Sequence, residues 1–413
     1  MKKITNFPKA LVDQIFVSGG NFIAIMLGAR LLALEDQGKL GYILSAYLAV
    51  SILNQTSIFQ LASVEAPKTD ESYYVFIQLL QIVISFVSSI LLTILLVWLG
   101  AGAGWKISIM EFLIISLFLF LQQQADFVRR SSYIFSSATV SLISSAILYP
   151  TRLLAILVFK PNDIFSFSLI LGLTALIPAI KSVFDLYKAK KDMKELQKFI
   201  LPHFIKAQWL ILSAPFSWLW CNIPIFILGM HGSLMQVGVF TTLRSLTNAG
   251  NVLLETLETY VSALVGKSYI QNKTAYIKLM KNTLISGLVL WSVGFFIFFV
   301  MGKDLINILF NNDYKEFSLL LIYLWTGILS VFLSRLSSVM SRTVGKTDTI
   351  FVSLIIGTLV SYAVSIFLIP LFNVYGAAIA IGVAPLIMWV FQEIDVRLFI
   401  NKQIENSSKE MEL

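Results

Sequence analysis

Arg244, Asn248, Asn251, Glu255 and Glu258 follow one another at intervals of four, three, four and three residues. On a helix that spacing makes one polar stripe. An arginine presents a planar fork of donors that matches phosphate or carboxylate oxygens. The two glutamates can hold that guanidinium, bind sugar hydroxyls or take up a proton. A purely structural ion-pair network is the alternative reading of the same five residues, and the spacing does not choose among these roles.

A second face gathers on the stretch 133–159. Ser137, Ser141 and Ser145 recur every four residues, and Arg152 lies eleven after Ser141, nearly on the same side. Pro150 should kink this helix and free a carbonyl. Asp13 is a candidate ion-coupling site, although capping or pairing near an interface explains it as simply. Gln122, Asp126, Arg129 and Arg130 form a group for which local pairing suffices, and so does Glu111. Arg30 and Arg335 stand near segment ends, where they can snorkel.

The elements that carry these residues are apolar almost throughout. Of the 413 residues 57% are hydrophobic and only 13% charged, and the mean hydropathy is +0.82. Runs of about 20 apolar residues, enough for a helix to cross roughly 30 Å of hydrocarbon, recur along the whole chain. They place about twelve spans near 10–34, 38–63, 73–99, 107–128, 133–159, 163–187, 206–229, 236–264, 279–302, 314–341, 346–370 and 374–397. The runs are too long and too uniform for barrel strands. The expected fold is an all-α polytopic membrane protein.

Basic residues divide by side. One set of loops and both tails carries Lys2, Lys3, Lys9, Arg129, Arg130, Lys188, Lys190, Lys191, Lys194, Lys198, Lys267, Lys273, Lys278, Lys281, Arg342 and Lys346. The opposite loops carry only Arg30, Lys39, Lys106, Lys160, Lys303 and Lys315. The positive-inside rule puts both termini in the cytoplasm and accounts for the net charge of +8. Basic residues scattered along a membrane rim argue against nucleic-acid binding. The N-terminal stretch is too long for a cleaved signal peptide and carries Asp13 and Arg30. Cys221 is the single cysteine, and His203 and His231 fall in different loops, so no metal site or cofactor is expected.

The longest cytoplasmic connection, 188–205, is rich in lysine. It reads as a solvated linker or as an amphipathic helix on anionic lipid. It separates an N-terminal six-helix lobe, 1–187, from a C-terminal six-helix lobe, 206–413. The lobes echo each other. Asn21 to Gly28 matches Asn222 to Gly229, and Gln37-Gly38 matches Gln236-Val237-Gly238. A parallel repeat of this kind places substrate at the repeat interface.

The segment Leu368-Ile-Pro-Leu-Phe-Asn373-Val-Tyr-Gly376-Ala-Ala-Ile-Ala380 resembles the IPL-x-G-x-x-GAA segment of the multidrug/oligosaccharidyl-lipid/polysaccharide exporter superfamily, with Asn373 in place of the commoner glycine. Ser18 to Asn21, Ala29 to Leu32 and Gln37 to Gly41 are similar to the opening of its polysaccharide-export branch, except that Lys39-Leu40 replaces the usual aromatic. Within that branch the chain most resembles the O-antigen (Wzx-type) flippases.

The resemblance implies a MATE-like V of two lobes that moves undecaprenyl-pyrophosphate-linked oligosaccharide across the inner membrane by alternating access, probed by Arg152 and Arg244. A polysaccharide polymerase and a chain-length regulator are the implied protein partners. A multidrug exporter of cations is the runner-up. A glycan polymerase would need a larger outer loop than any here, and a major-facilitator carrier would need a basic, glycine-containing loop where SVEAPKTDES stands.

Overall fold

The computed structural model describes residues 7–66, 71–189, 193–271, 273–310 and 312–411. Helices are α1 (Phe7–Leu31), α2 (Leu34–Asn54), α3 (Gln60–Glu65), α4 (Glu71–Gly102), α5 (Ile109–Phe135), α6 (Ala138–Phe159) and α7 (Ile164–Thr174). They continue with α8 (Leu176–Ala189), α9 (Met193–His231), α10 (Leu234–Gln271), α11 (Lys273–Leu309), α12 (Ser318–Thr343), α13 (Thr347–Phe372) and α14 (Val374–Met411). Among the described residues there is no strand.

Eleven of these stretches are long and apolar enough to cross a membrane. α2 and α3 are joined by a π-helical turn, Gln55–Phe59, and count as one span. α7 and α8 likewise share one. The remaining expected span, 236–264, lies in α10, whose polar stripe lowers its hydropathy. α9 runs unbroken for 39 residues, about 58 Å at 1.5 Å per residue. Its first turns therefore extend beyond the hydrocarbon as a continuation of a span, not as a separate element. His203 and His231 both belong to α9, which corrects their placement in loops.

The chain forms two compact units. The first comprises Met1–Trp218 with Ser233–Thr242, and the second Leu219–Gly232 with Leu243–Leu413. In the first, Ile58, Phe59, Tyr73, Phe76, Phe127 and Leu196 form a buried aromatic-rich cluster. His203 sits beside it, accepting at Nδ1 from the Tyr73 hydroxyl at 3.2 Å and donating from Nε2 to the Ser57 carbonyl at 2.7 Å. The carbonyl can only accept, so this assigns the proton to Nε2. α5 begins with a capping box in which Ser108 and Glu111 satisfy each other's backbone N–H groups, and that is what Glu111 does.

Within the first unit the starts of α2 and α10 cross at very close range. A methyl group on Gly38 would fall 1.8 Å from the Leu234 carbonyl oxygen, and one on Gly238 would fall 2.3 Å from that of Leu34. Gly41 meets Thr241 in the same crossing. The pairs 34/234, 38/238 and 41/241 share one offset, so the contact between the two helix starts is reciprocal.

In the second unit α13 and α14 meet at a tight turn. Asn373 adopts φ +48° and ψ −123°, outside the left-handed helical well and in a region that glycine takes without strain. A side chain on Gly376 would run into the Leu368 carbonyl at 2.4 Å. The residues that carry the superfamily resemblance thus build a helical hairpin.

Candidate functional site

The first unit buries two linked polar clusters. In one, Asp13 of α1 is 1% exposed. Its Oδ2 accepts from the Tyr133 hydroxyl at 2.6 Å, the Ser141 hydroxyl at 3.1 Å and Arg129 Nη1 at 3.4 Å. Arg129 also pairs with Asp126 at 3.9 Å, and Asp126 accepts from the Tyr47 hydroxyl. One guanidinium of α5 thus serves two buried carboxylates, Asp13 of α1 and Asp126 of α5 itself. Such a cluster holds only if its members are bonded, because unpaired charge in this setting is costly. The pairing read for Asp126 and Arg129 is present and extends to Asp13.

In the other cluster, α6 runs unbroken through Pro150 and carries Arg152, which is 2% exposed. Its guanidinium donates to Gln122 Oε1 at 2.5 Å, the Leu171 carbonyl at 3.3 Å, Asn21 Oδ1 at 3.4 Å and Thr174 Oγ1 at 3.4 Å. It also lies over the Tyr149 ring, 5.5 Å from the centroid. All four acceptors are neutral. Arg152 lines a cavity of ≈ 180 Å³ with Asn21, Tyr47, Gln122, Phe118, Phe167 and others. A buried guanidinium whose hydrogen-bond acceptors are all neutral, beside an open space, has the chemistry to bind an anion.

The serine face divides. Ser137 precedes α6 as its N-cap. Ser141 reaches Asp13, and Ser145 is buried. The residues missed in the sequence are Asn21, Tyr47, Tyr133, Tyr149 and Thr174. Gln122-Gln123-Gln124, three amides in an apolar run, was the available signal for a buried polar face on α5.

In the second unit Arg244 of α10 is half-buried and donates to the Cys221 carbonyl at 3.1 Å. Asn248 is exposed, whereas Asn251 is 9% exposed. Glu255 and Glu258 lie on α10, but their side chains fall outside what the structure describes. A groove of ≈ 310 Å³ between α12 and α14, lined by Tyr323, Gly327, Ser330 and Gly382, is nearly all apolar and offers no charge.

Solved structures share this arrangement of helices. An inward-facing multidrug resistance MATE family transporter of the MOP superfamily aligns with a TM-score of 0.73 at 12% identity, over 96% of this chain and 99% of that one. The lipid II flippase MurJ in an inward closed conformation aligns at 0.70 and 14% identity, over 94% and 87%. A MOP superfamily transporter from Pyrococcus furiosus, described as having a binding pocket of reverse polarity, aligns at 0.59 and 12%, over 96% and 95%.

The fold is that of the MATE-like transporters.

At these identities the likeness establishes architecture and not cargo. No protein-family model matches the chain, and no curated protein does. The chain thus has a MATE-like, all-helical fold with eleven stretches long and apolar enough to cross a membrane among the described residues.

Proposed function

We propose that the chain is a flippase for undecaprenyl-pyrophosphate-linked oligosaccharide, the repeat unit of O-antigen or a similar surface polysaccharide. On this reading it carries the unit from the cytoplasmic to the periplasmic leaflet of the inner membrane by alternating access, with both termini cytoplasmic. The observation that carries the reading is Arg152, buried beside a cavity with no carboxylate among its hydrogen-bond partners. A diphosphate supplies the charge that this guanidinium lacks, and its oxygens suit the guanidinium fork.

Arg244 offers a second fork, while Asn248, Asn251, Glu255 and Glu258 provide amide and carboxylate contacts for sugar hydroxyls. Asp13, Glu255 and Glu258 are the carboxylates through which an ion would couple to the cycle. A polymerase and a chain-length regulator are the expected protein partners.

Extrusion of cationic drugs is the second reading. It is favoured by the carboxylates of Asp13 and Asp126, buried in the same unit.

The deciding experiment is deletion in the native host, with surface polysaccharide and lipid-linked repeat units measured together. Loss of long glycan, with repeat units stranded on the cytoplasmic face and rescue by the intact gene, is expected. Unchanged glycan with new sensitivity to cationic drugs would overturn the flippase reading in favour of the exporter.

A further inference from the structure

The hydrogen bonds at Arg152 fix the orientation of Gln122 as well as that of the arginine. Nε donates to Thr174, Nη1 to Asn21, and Nη2 to both Gln122 and the Leu171 carbonyl. A guanidinium has five N–H donors and no acceptor, so one N–H on Nη1 is left over. Because arginine only donates, the Gln122 oxygen must face it, and the Gln122 nitrogen is turned away. Gln122 is 3% exposed and lines the same cavity as Arg152. Among the described residues its nitrogen meets no acceptor and yet is not sealed from open space.

The oxygens around the cavity are committed in the opposite sense. The Asn21 oxygen accepts from Arg152 Nη1, and the same side chain is hydrogen-bonded to Tyr149. The Thr174 hydroxyl accepts from Arg152 Nε and gives its own proton to the Leu171 carbonyl at 3.0 Å. The Tyr47 hydroxyl donates to Asp126. Most of the remaining lining is hydrocarbon, with Ile25, Leu44, Phe118 and Phe167 among it. What is left for the open space is a positive charge, one guanidinium N–H and one amide NH2.

We infer that Gln122 is a specificity-determining residue, and that the pocket it forms with Arg152 admits a phosphoryl-type oxyanion. Such a group only accepts hydrogen bonds, as these two side chains require. The inference rests on the diphosphate reading above and deepens it. A tetrahedral oxyanion offers separate oxygens to a guanidinium on α6 and an amide on α5, and guanidinium donors suit phosphate oxygens. A sugar hydroxyl brings a proton that finds its acceptors already engaged, and an ammonium group meets a like charge. Sites that leave a buried polar group unpaired reject such ligands strongly. The cavity of ≈ 180 Å³ is smaller than the roughly 300–1,000 Å³ usual for a whole small-molecule ligand. It seats one phosphoryl group of a larger cargo and leaves the sugars outside.

The test is anion binding to the purified, detergent-solubilised full chain. Sodium phosphate and sodium chloride are compared by thermal unfolding at constant ionic strength, and radiolabelled phosphate binding is measured directly. Saturable stabilisation by inorganic phosphate over chloride is expected. Gln122→Glu keeps an oxygen on Arg152 but exchanges the outward N–H donors for a second carboxylate oxygen. It should weaken phosphate binding at least about tenfold, equal to about 1.4 kcal/mol. Its unfolding midpoint without phosphate should stay at or above that of the unmodified chain, which a purely structural role for the amide would not allow. Absence of saturable phosphate binding by the unmodified chain, equal binding of chloride, or unchanged phosphate binding by Gln122→Glu each overturns the inference. If Gln122→Glu does not fold, unchanged phosphate binding by Gln122→Met overturns it in the same way. Binding and transport fail separately. A chain that binds phosphate through Gln122, but whose deletion leaves surface glycan unchanged, loses the flippase reading alone. One that binds no phosphate, but whose deletion abolishes the glycan, loses this inference alone.

Discussion

Gly38 and Gly238 lie face to face at the crossing of α2 and α10, each pressed on the backbone of the other helix's first turn. The neighbour in each case is a carbonyl and not a flexible side chain, so it cannot yield. Gly38→Ala and Gly238→Ala should each destabilise by about 1–3 kcal/mol, as overpacking does. The double variant should be no worse than the sum, because either methyl already forces the helices apart. Thermal unfolding of the purified variants reads this directly. Cysteines at 41 and 241 should form a disulfide on mild oxidation, and failure to crosslink would show that the crossing does not persist in the membrane.

Arg152 gives the sharpest functional prediction. Arg152→Lys keeps the charge but loses the fork that reaches Gln122, Leu171, Asn21 and Thr174. If the chain is the proposed flippase, export of surface glycan should fall at least about tenfold in Arg152→Lys and further in Arg152→Met, a cost above about 1.4 kcal/mol in the limiting step. Normal membrane levels of both variants, checked by immunoblot, separate this from misfolding. Wild-type export by Arg152→Met would remove the arginine from substrate handling.

Asp13 and Arg129 should show strong coupling. Removing Arg129 strands the Asp13 carboxylate, at about 3–5 kcal/mol, whereas removing Asp13 leaves Arg129 paired with Asp126 and should cost less. Asp13→Asn with Arg129→Gln should be milder than the two single losses added together. A double-mutant cycle on unfolding midpoints measures this, and simple additivity would refute the pairing.

Asp163, the N-cap of α7, supplies a pH-dependent term. Burial raises the carboxyl's pKa, but the N–H groups of Phe165 and Ser166 and the Ser166 hydroxyl outweigh that and hold it below its ordinary value of 3.8. A lowered folded value means that the cap stabilises fully above the unfolded pKa. The contribution fades as pH falls from 3.8 through the lower folded value. Asp163→Ala should cost about 1 kcal/mol at neutral pH and should flatten the midpoint-against-pH curve below pH 4. An unchanged curve would refute the cap.

At Asn373, φ +48° favours glycine. Asn373→Gly should be neutral or slightly stabilising, and Asn373→Val should lose about 1–3 kcal/mol. This is measurable as a shift in unfolding midpoint.

The spans were legible because the length of an apolar run is a one-dimensional property. The 38/238 correspondence was legible as well, since a repeat needs only one chain to be compared with itself. The partners of Arg152 were not. Asn21, Gln122 and Thr174 come from three other helices, and periodicity along α6 says which face is polar but not which helix meets it. Sequence proximity groups Gln122 with Asp126 for local pairing, whereas its side chain turns to Arg152. The histidines were misplaced because α9 continues past the membrane boundary, where a hydropathy reading stops. Asn373 stood out as a departure from a motif, and only its backbone angle explains why glycine is commoner there.

The polar stripe on α10 has a consequence during synthesis. A helix enters the bilayer by partitioning sideways from the translocation channel, and each arginine or aspartate near its middle opposes that step by about 2.5–3.5 kcal/mol. α10 is 38 residues long yet is absent from the eleven stretches apolar enough to cross unaided. It follows α9 after only Gly232 and Ser233, a connection short enough for the two to enter the bilayer together as a hairpin. Arg244→Leu with Asn251→Leu would then speed membrane integration while cutting the stripe from five polar residues to three, Asn248, Glu255 and Glu258: the ribosome would gain an easier segment, and the mature protein would lose its one arginine on that face.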